Sequence, residues 1–331
     1  MSKKKKPILA RWYRKQLKEK KRKELAEKRA SGPYAGLKNP LRFTSFCPCA
    51  YSYSYSVNGD CLDCSFCYKK SNNLNHKRLQ AKNLEKFITD DILQVPIIIS
   101  TSCDPMYSEY VKNESYKVAK YILENNGKII YKSAIAPIDA RIHELASEYK
   151  DHFLYQPRFM SSNDLMGETI RKNLSQEFSS SDVLIDEIIK FKDHGCQIVP
   201  IFDPVILHIN DTMVQKIINH IKSIGIYKII LKQLFATNSF RSELLLYNPD
   251  AYKDLCIKVG NYYTYDSVHL IEHLSSIFYD ENISISFCSN NHLNKILNKN
   301  NCCQFENHEI FYKNDIKFMN LKQRKEKICL K

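Results

Sequence analysis

Apolar positions along this chain switch between two periods. Residues 51–57 read Tyr-Ser-Tyr-Ser-Tyr-Ser-Val, an alternation that predicts a strand with its tyrosines on one face. Short apolar runs at 95–100, 128–133, 153–158, 196–202, 226–231 and 283–288 predict further strands. The intervening segments 76–91, 115–125, 138–149, 181–194, 211–224 and 267–279 carry a helical period. Asp182 near the start of 181–194, Gly195 just after its end, and Gly225 after 211–224 are cap chemistry. Short strands spaced by helices of this length predict βα units on a parallel sheet. About seven such units fit a partial (β/α)6-type TIM barrel better than a short open sheet. No repeat with a period of ~20–50 residues accompanies the alternation.

The pattern fails at both ends. Residues 8–30 read as a charged helix with little apolar face, projecting from the fold, and Gly32, Pro33, Gly36 and Pro40 are linker residues. The expected organisation is a basic N-terminal helical tail and linker over 1–40, the barrel over 41–290, and a Cys-containing extension over 291–331. A chain of 331 residues, 44% hydrophobic and 26% charged, has the composition of a soluble globular protein with a sizeable core. No apolar run approaches the ~18–20 residues of a membrane helix, and no signal-peptide core opens the chain, so a cytoplasmic protein without membrane contact is expected. Twelve cysteines in such a chain point to a reducing compartment and to metal ligation rather than disulfides.

The net charge of +14 changes the picture less than its size suggests. Residues 1–30 hold fourteen Lys/Arg against three Glu, so the basicity is a tail and the body is nearly neutral. Such a block is ordinarily a solvated arm. Arg11, Trp12, Tyr13 and Arg14 within it could also stack on bases, which makes nucleic acid a candidate partner. Eight glycines, with no Walker-type loop, dinucleotide fingerprint or nucleophile elbow, exclude the phosphate-cradling classes. The histidines, His143, His194, His208 and His220 among them, show no ligand spacing and read as surface or edge residues.

The candidate chemistry lies in Cys61-Leu62-Asp63-Cys64-Ser65-Phe66-Cys67-Tyr68. Two residues between cysteines let the backbone fold back so that successive thiolates reach one metal centre. Three cysteines without a local fourth, since Ser71 stands where a ferredoxin run would place it, suit a four-iron cluster with one open iron. An open iron is what chelates the amino and carboxylate groups of S-adenosylmethionine. Zinc closed by Cys47 or Cys49 is the alternative, and spacing leaves both open. The cysteine loop, residues 101–104, Lys132, Ser133, Asp203 and Cys288 all fall at predicted strand C-termini, where such barrels place their chemistry. Cys288 also groups with Cys302 and Cys303 as candidate ligands of an auxiliary metal.

In this order the motifs resemble the radical SAM superfamily, particularly its spore photolyase branch. Cys64-Ser65-Phe66-Cys67-Tyr68 is similar to the second half of that branch's cysteine loop. Ser102-Cys103-Asp104-Pro105 stands where it has Thr-Asp-Pro, and Tyr131-Lys132-Ser133 where it has Thr-Lys-Ser. Pro204-Val205-Ile206 through Asn210-Asp211 fits its apolar-Pro segment, and the likeness spans roughly residues 45–215. Two departures stand out. Both cysteine gaps are two residues here, where the superfamily has three then two, and its Gly-Gly-Glu is absent.

The resemblance implies that Cys61, Cys64 and Cys67 hold a [4Fe–4S] cluster whose free iron binds S-adenosylmethionine. Phe66 and Tyr68 would flank the cofactor, with Thr101, Asp104 and Ser133 anchoring its ribose or methionine moiety. Cys103 would donate a hydrogen atom to the product radical, as a cysteine near the corresponding strand does in the branch. A 5′-deoxyadenosyl radical would abstract hydrogen from an unknown substrate, with nucleic acid the first candidate. A flavodoxin or ferredoxin would supply electrons. The competing expectation is a zinc-stabilised nucleic-acid- or ribosome-binding protein that works through its basic tail. A third is an iron–sulfur protein that transfers electrons without S-adenosylmethionine.

Overall fold

Strand propensity and helix caps place eleven strands and ten helices among the described residues. The computed structural model describes residues 41–43, 51–53, 64–66, 81, 84–94, 96–99, 103–259, 262–274, 277 and 282–288, all within the compact unit Pro40–Tyr312. The strands are β1 (Leu41–Phe43), β2 (Tyr51–Tyr53), β3 (Ile97–Ile99), β4 (Ile129–Ser133), β5 (Phe153–Phe159) and β6 (Gln197–Ile198). They continue as β7 (Ile201–Val205), β8 (Lys228–Gln233), β9 (Ile257–Val259), β10 (Tyr262–Thr264) and β11 (Ser284–Phe287). The helices are α1 (Leu84–Phe87), α2 (Asp90–Leu93), α3 (Glu109–Glu124), α4 (Ala140–Glu148) and α5 (Leu165–Leu174). After them come α6 (Ser181–Asp193), α7 (Asp211–Ser223), α8 (Asn238–Tyr247), α9 (Pro249–Asp254) and α10 (Ser267–His273).

The sheet runs β1-β2-β3-β4-β5-β7-β8-β11, with β6 beside the start of β5. β1 is antiparallel to β2, and every later pair along the path is parallel. Among the described residues the sheet does not close. This is the partial α/β barrel that the alternating periods predict, with parallel strands joined by helices because a parallel neighbour needs a crossover.

Period-two alternation divides the strands between two faces. One carries Tyr131, Phe153 and Tyr155, which pack under α6: the Tyr155 and Phe191 rings stack at 4.1 Å and those of Phe153 and Phe191 at 5.7 Å. The other carries Ile98, Ile130, Leu154, Ile201 and Ile230, which join Val199 in a single buried cluster. Two residues further along β4, β5, β7 and β8 this second face turns polar: Lys132, Gln156, Asp203 and Lys232, with Arg158 one step beyond. The apolar cluster is therefore the floor of a polar site at the strand C-termini.

Several element boundaries differ from the sequence pattern. The helix expected over 115–125 begins at Glu109, because Ser108 accepts the Val111 N–H at 3.4 Å and caps it earlier. Within the segment expected as one helix over 76–91, the described residues form α1 and the start of α2, separated at Ile88 and Thr89. α5 and α8 have no counterpart in the pattern; they leave Leu165, Met166, Leu246 and Tyr247 exposed, which blurs their periodicity. Their starts are fixed by caps, Asp164 accepting from Gly167 and Thr237 from Phe240. β1, the antiparallel pair β9–β10 and α9 are likewise too short for a periodic signal.

Candidate active site at the strand C-termini

Asp203 is the hub. Its Oδ2 lies 3.0 Å from Lys132 Nζ on β4, 3.0 Å from Arg158 Nε on β5 and 3.0 Å from Lys232 Nζ on β8. β7 presents it at an irregularity: the register with β8 shifts between Phe202 and Val205, where Pro204 has no N–H for the ladder. Asp203 is 2% exposed, and burial works to raise its carboxyl, but Arg158, Lys232 and Lys132 outweigh that and hold it far below the ordinary range. For Lys132 the balance runs the other way. Burial pushes its ammonium down, Asp203 opposes this, and Lys232 and Arg158 add to the depression. Three cations around one carboxylate leave a surplus of two positive charges in a mostly buried place. Beside Lys132 in the register stands Gln156, 3% exposed, whose Nε2 has no hydrogen-bonding partner among the described residues. A cationic surplus and an unanswered amide donor on one inner face suit an anionic, hydrogen-bond-accepting ligand.

Asp104 and Ser133, both expected to contact cofactor, meet each other. Asp104 Oδ1 accepts from Met106 N at 3.0 Å and lies 2.8 Å from Ser133 Oγ, while Oδ2 accepts from Ala134 N at 2.6 Å. The Ser133 hydroxyl also accepts from Ile135 N at 3.0 Å and lies 2.8 Å from the Ile135 carbonyl, so its single proton serves Asp104 or Ile135. Burial raises the Asp104 carboxyl, with the Ala134, Met106 and Ser133 donors and the Arg158 charge pulling against it. The pair thus braces the loop after β3 against the end of β4. Cys103, next to this brace, is buried at 5% exposure and forms no disulfide among the described residues.

The described part of the cysteine loop, Cys64 to Phe66, is a turn seated on two helices. Ser65 N donates to Leu174 O at 2.9 Å and Ser65 Oγ to the same carbonyl at 3.3 Å. Leu174 ends α5, the helix after β5, and an orphan helix C-terminal carbonyl is a natural acceptor. α5 itself sits close because it has Gly167, where an added methyl would collide with the Ser162 carbonyl. Phe66 meets Phe240 of α8 edge-on at 6.4 Å. The Cys64 side chain is buried, 6% exposed, and in no disulfide among the described residues. A buried cysteine in a turn docked on helices that follow β5 and β8 fits a metal or cluster ligand.

Cys61, Cys67, Tyr68, Thr101, Cys302, Cys303, Cys47, Cys49 and the basic tail lie outside the described residues. Cys288, directly after β11, is half-buried and packs against the apolar floor. Arg158 and Lys232 had no motif to announce them; a charged residue ending an otherwise apolar strand on its inner face was the available signal. A cavity of about 440 Å³ opens at the other end of the strands, by Lys150, Gly195, Gln197, Gly225 and Lys228, remote in the fold from these groups.

No family model matches the chain, and no curated protein matches it in sequence. Solved structures do match in three dimensions. Spore photoproduct lyase complexed with dinucleoside spore photoproduct superposes with a TM-score of 0.54 at 14% identity, covering 76% of this chain and 81% of that one. The fold is that of spore photoproduct lyase. A variant of the lyase with dinucleoside spore photoproduct gives 0.51 at 12% identity over 80% of this chain and 94% of that one. Another, with bound AdoMet and dinucleoside spore photoproduct, gives 0.50 at 11% identity over 67% and 72%. The lyase fold is the radical SAM partial barrel, so the architecture read from the sequence is the one observed. At these identities the likeness is one of fold, and the chemistry must come from the site.

Among the described residues no helix is long and apolar enough to cross a membrane.

Proposed function

We propose that this chain is a radical SAM enzyme acting on an anionic substrate, with nucleic acid the leading class. The observation that carries the reading is the cationic surplus around Asp203, beside the Gln156 amide, on the inner face of a partial barrel with the lyase fold. Cys61, Cys64 and Cys67 would hold a [4Fe–4S] cluster, and Phe66, Tyr68 and Thr101 would line S-adenosylmethionine. Bound together and reduced, cluster and S-adenosylmethionine supply a 5′-deoxyadenosyl radical that abstracts hydrogen from substrate. Asp104 and Ser133 enter this reading as a brace that fixes the β3 loop and the β4 end beside the cofactor. Lys132, Arg158 and Lys232 would orient carboxylate or phosphate oxygens, their charge moderated by Asp203. Cys103 would pass its thiol hydrogen to a product radical and become a thiyl radical. A flavodoxin or ferredoxin would deliver the electron, and the basic tail would add affinity for nucleic acid.

The test is anaerobic reconstitution with iron and sulfide, then EPR of the dithionite-reduced protein with and without S-adenosylmethionine. A four-iron signal that shifts on addition is the expected result. A cluster indifferent to S-adenosylmethionine would make the protein an electron carrier. Stoichiometric zinc with no cluster would replace the enzyme by a zinc-braced nucleic-acid-binding protein.

A further inference from the structure

Beyond the strand ends, four residues from three parts of the chain converge: His208 in the loop after β7 with Asp211 opening α7, Asp254 closing α9 and His273 closing α10. We propose that His208, Asp254 and His273 bind a divalent transition-metal ion of the zinc class, with Asp211 supporting His273 from behind. The site is independent of the radical reading and of every cysteine.

The geometry is that of ligands around a point. One ligand atom from each of the three residues lies within 4.8 Å of the others. His208 Nε2 is 2.8 Å from Asp254 Oδ2, and His273 Nε2 is 3.9 Å from the same oxygen. A tetrahedral ion with N and O ligands at ~2.0–2.2 Å holds its donors roughly 3.3–3.6 Å apart, a spacing these two distances bracket. The imidazole rings stand nearly perpendicular, 83° at 4.5 Å, as two ligands directed at one ion can. Metal-bound histidines ordinarily give their second nitrogen to a carboxylate. Here His273 Nδ1 faces Asp211 Oδ2 at 3.4 Å, and Asp211 is buried. That contact leaves Nε2 as the nitrogen available on the Asp254 side. The two carboxylates would balance a doubly charged ion, with both imidazoles neutral.

The scaffold is already held in place. Asn248 Nδ2 donates to His208 O at 3.0 Å, and Leu207 N donates to Tyr265 Oη at 3.2 Å. Asn210 accepts from Ile206 N and donates to Met160 O and Pro204 O, fixing the loop that leaves β7. An ion here would clip that loop, and with it the strand bearing Asp203, to α9 and α10. His208 and His273 are exposed enough for ion entry, and three protein ligands leave one position for water.

The test uses the full-length, cluster-reconstituted protein titrated with zinc chloride and desalted, compared with His208→Ala/His273→Ala and with the near-isosteric Asp254→Asn, each first checked by circular dichroism. Wild type should retain one zinc per chain more than either variant, with N/O-only ligation for that ion by X-ray absorption, and zinc should raise its Tm more than theirs. Any zinc taken by thiols is common to all three proteins and cancels, so a failed cluster assignment leaves the comparison intact. Equal zinc content in wild type and folded variants, or sulfur-only ligation in wild type, would overturn the site.

Discussion

Ser133 Oγ lies 2.8 Å from Asp104 Oδ1, tying the end of β4 to the loop after β3 through a buried contact. Met106 N and Ala134 N donate to the Asp104 carboxylate before any ligand arrives, and the Ser133 hydroxyl adds a third donor when its proton turns from Ile135 O. Asp104→Asn turns one acceptor oxygen into an amide that faces a donor. The variant should lose ~1–3 kcal/mol of stability by urea denaturation, the cost of an unsatisfied buried donor. On the proposed reading, its affinity for S-adenosylmethionine should fall only alongside that loss. A variant that melts like wild type yet fails to bind would make Asp104 a direct contact.

Removing the hub carboxylate should be worse. Asp203→Ala leaves Lys132, Arg158 and Lys232 facing one another without their shared partner. Breaking a buried pair from one side costs about 3–5 kcal/mol, far more than an exposed pair is worth. Adding Lys232→Leu should recover part of that loss, because it deletes one of the stranded charges. A double-mutant cycle with no coupling would contradict the arrangement.

A third buried carboxylate contributes to the acid limb of stability. Glu187 accepts from His143 Nε2 at 2.6 Å, Ile138 N at 2.9 Å and Lys190 at 3.2 Å, joining α4 to α6. Burial pushes its carboxyl up, but those partners together bring it below the ordinary value. A depressed acid stabilises the fold fully above its unfolded pKa and loses that contribution as pH falls through the folded one. The stability gap between wild type and Glu187→Gln should thus be widest near neutrality and close as pH drops below ~4.3. A gap independent of pH would assign the effect to packing alone.

Gly167 offers a test of how the cysteine loop is seated. Gly167→Ala must push α5 away from the Ser162 carbonyl, and Leu174, at the other end of that helix, carries the acceptor for Ser65. Overpacking of this kind typically costs ~1–3 kcal/mol. The expected signature is lower stability together with faster alkylation of Cys64 in the cluster-free protein. Unchanged Cys64 reactivity in a destabilised variant would show that the loop does not depend on α5.

What could be read from the chain followed from local rules. Alternating periods, glycine stops such as Gly195 and short apolar runs determine parallel strands joined by helices, because side-chain direction repeats every two residues in a strand and every 3.6 in a helix. Those same runs placed Lys132, Ser133 and Asp203 at strand ends. Tertiary structure alone decided which charges meet. Lys132, Arg158, Asp203 and Lys232 come from four strands, and no local rule couples side chains that only sheet order and register bring within 3 Å. It turned Asp104 and Ser133 towards each other, and it gathered His208, Asp254 and His273, which share no spacing in sequence, because a ligand set is defined by distance in space.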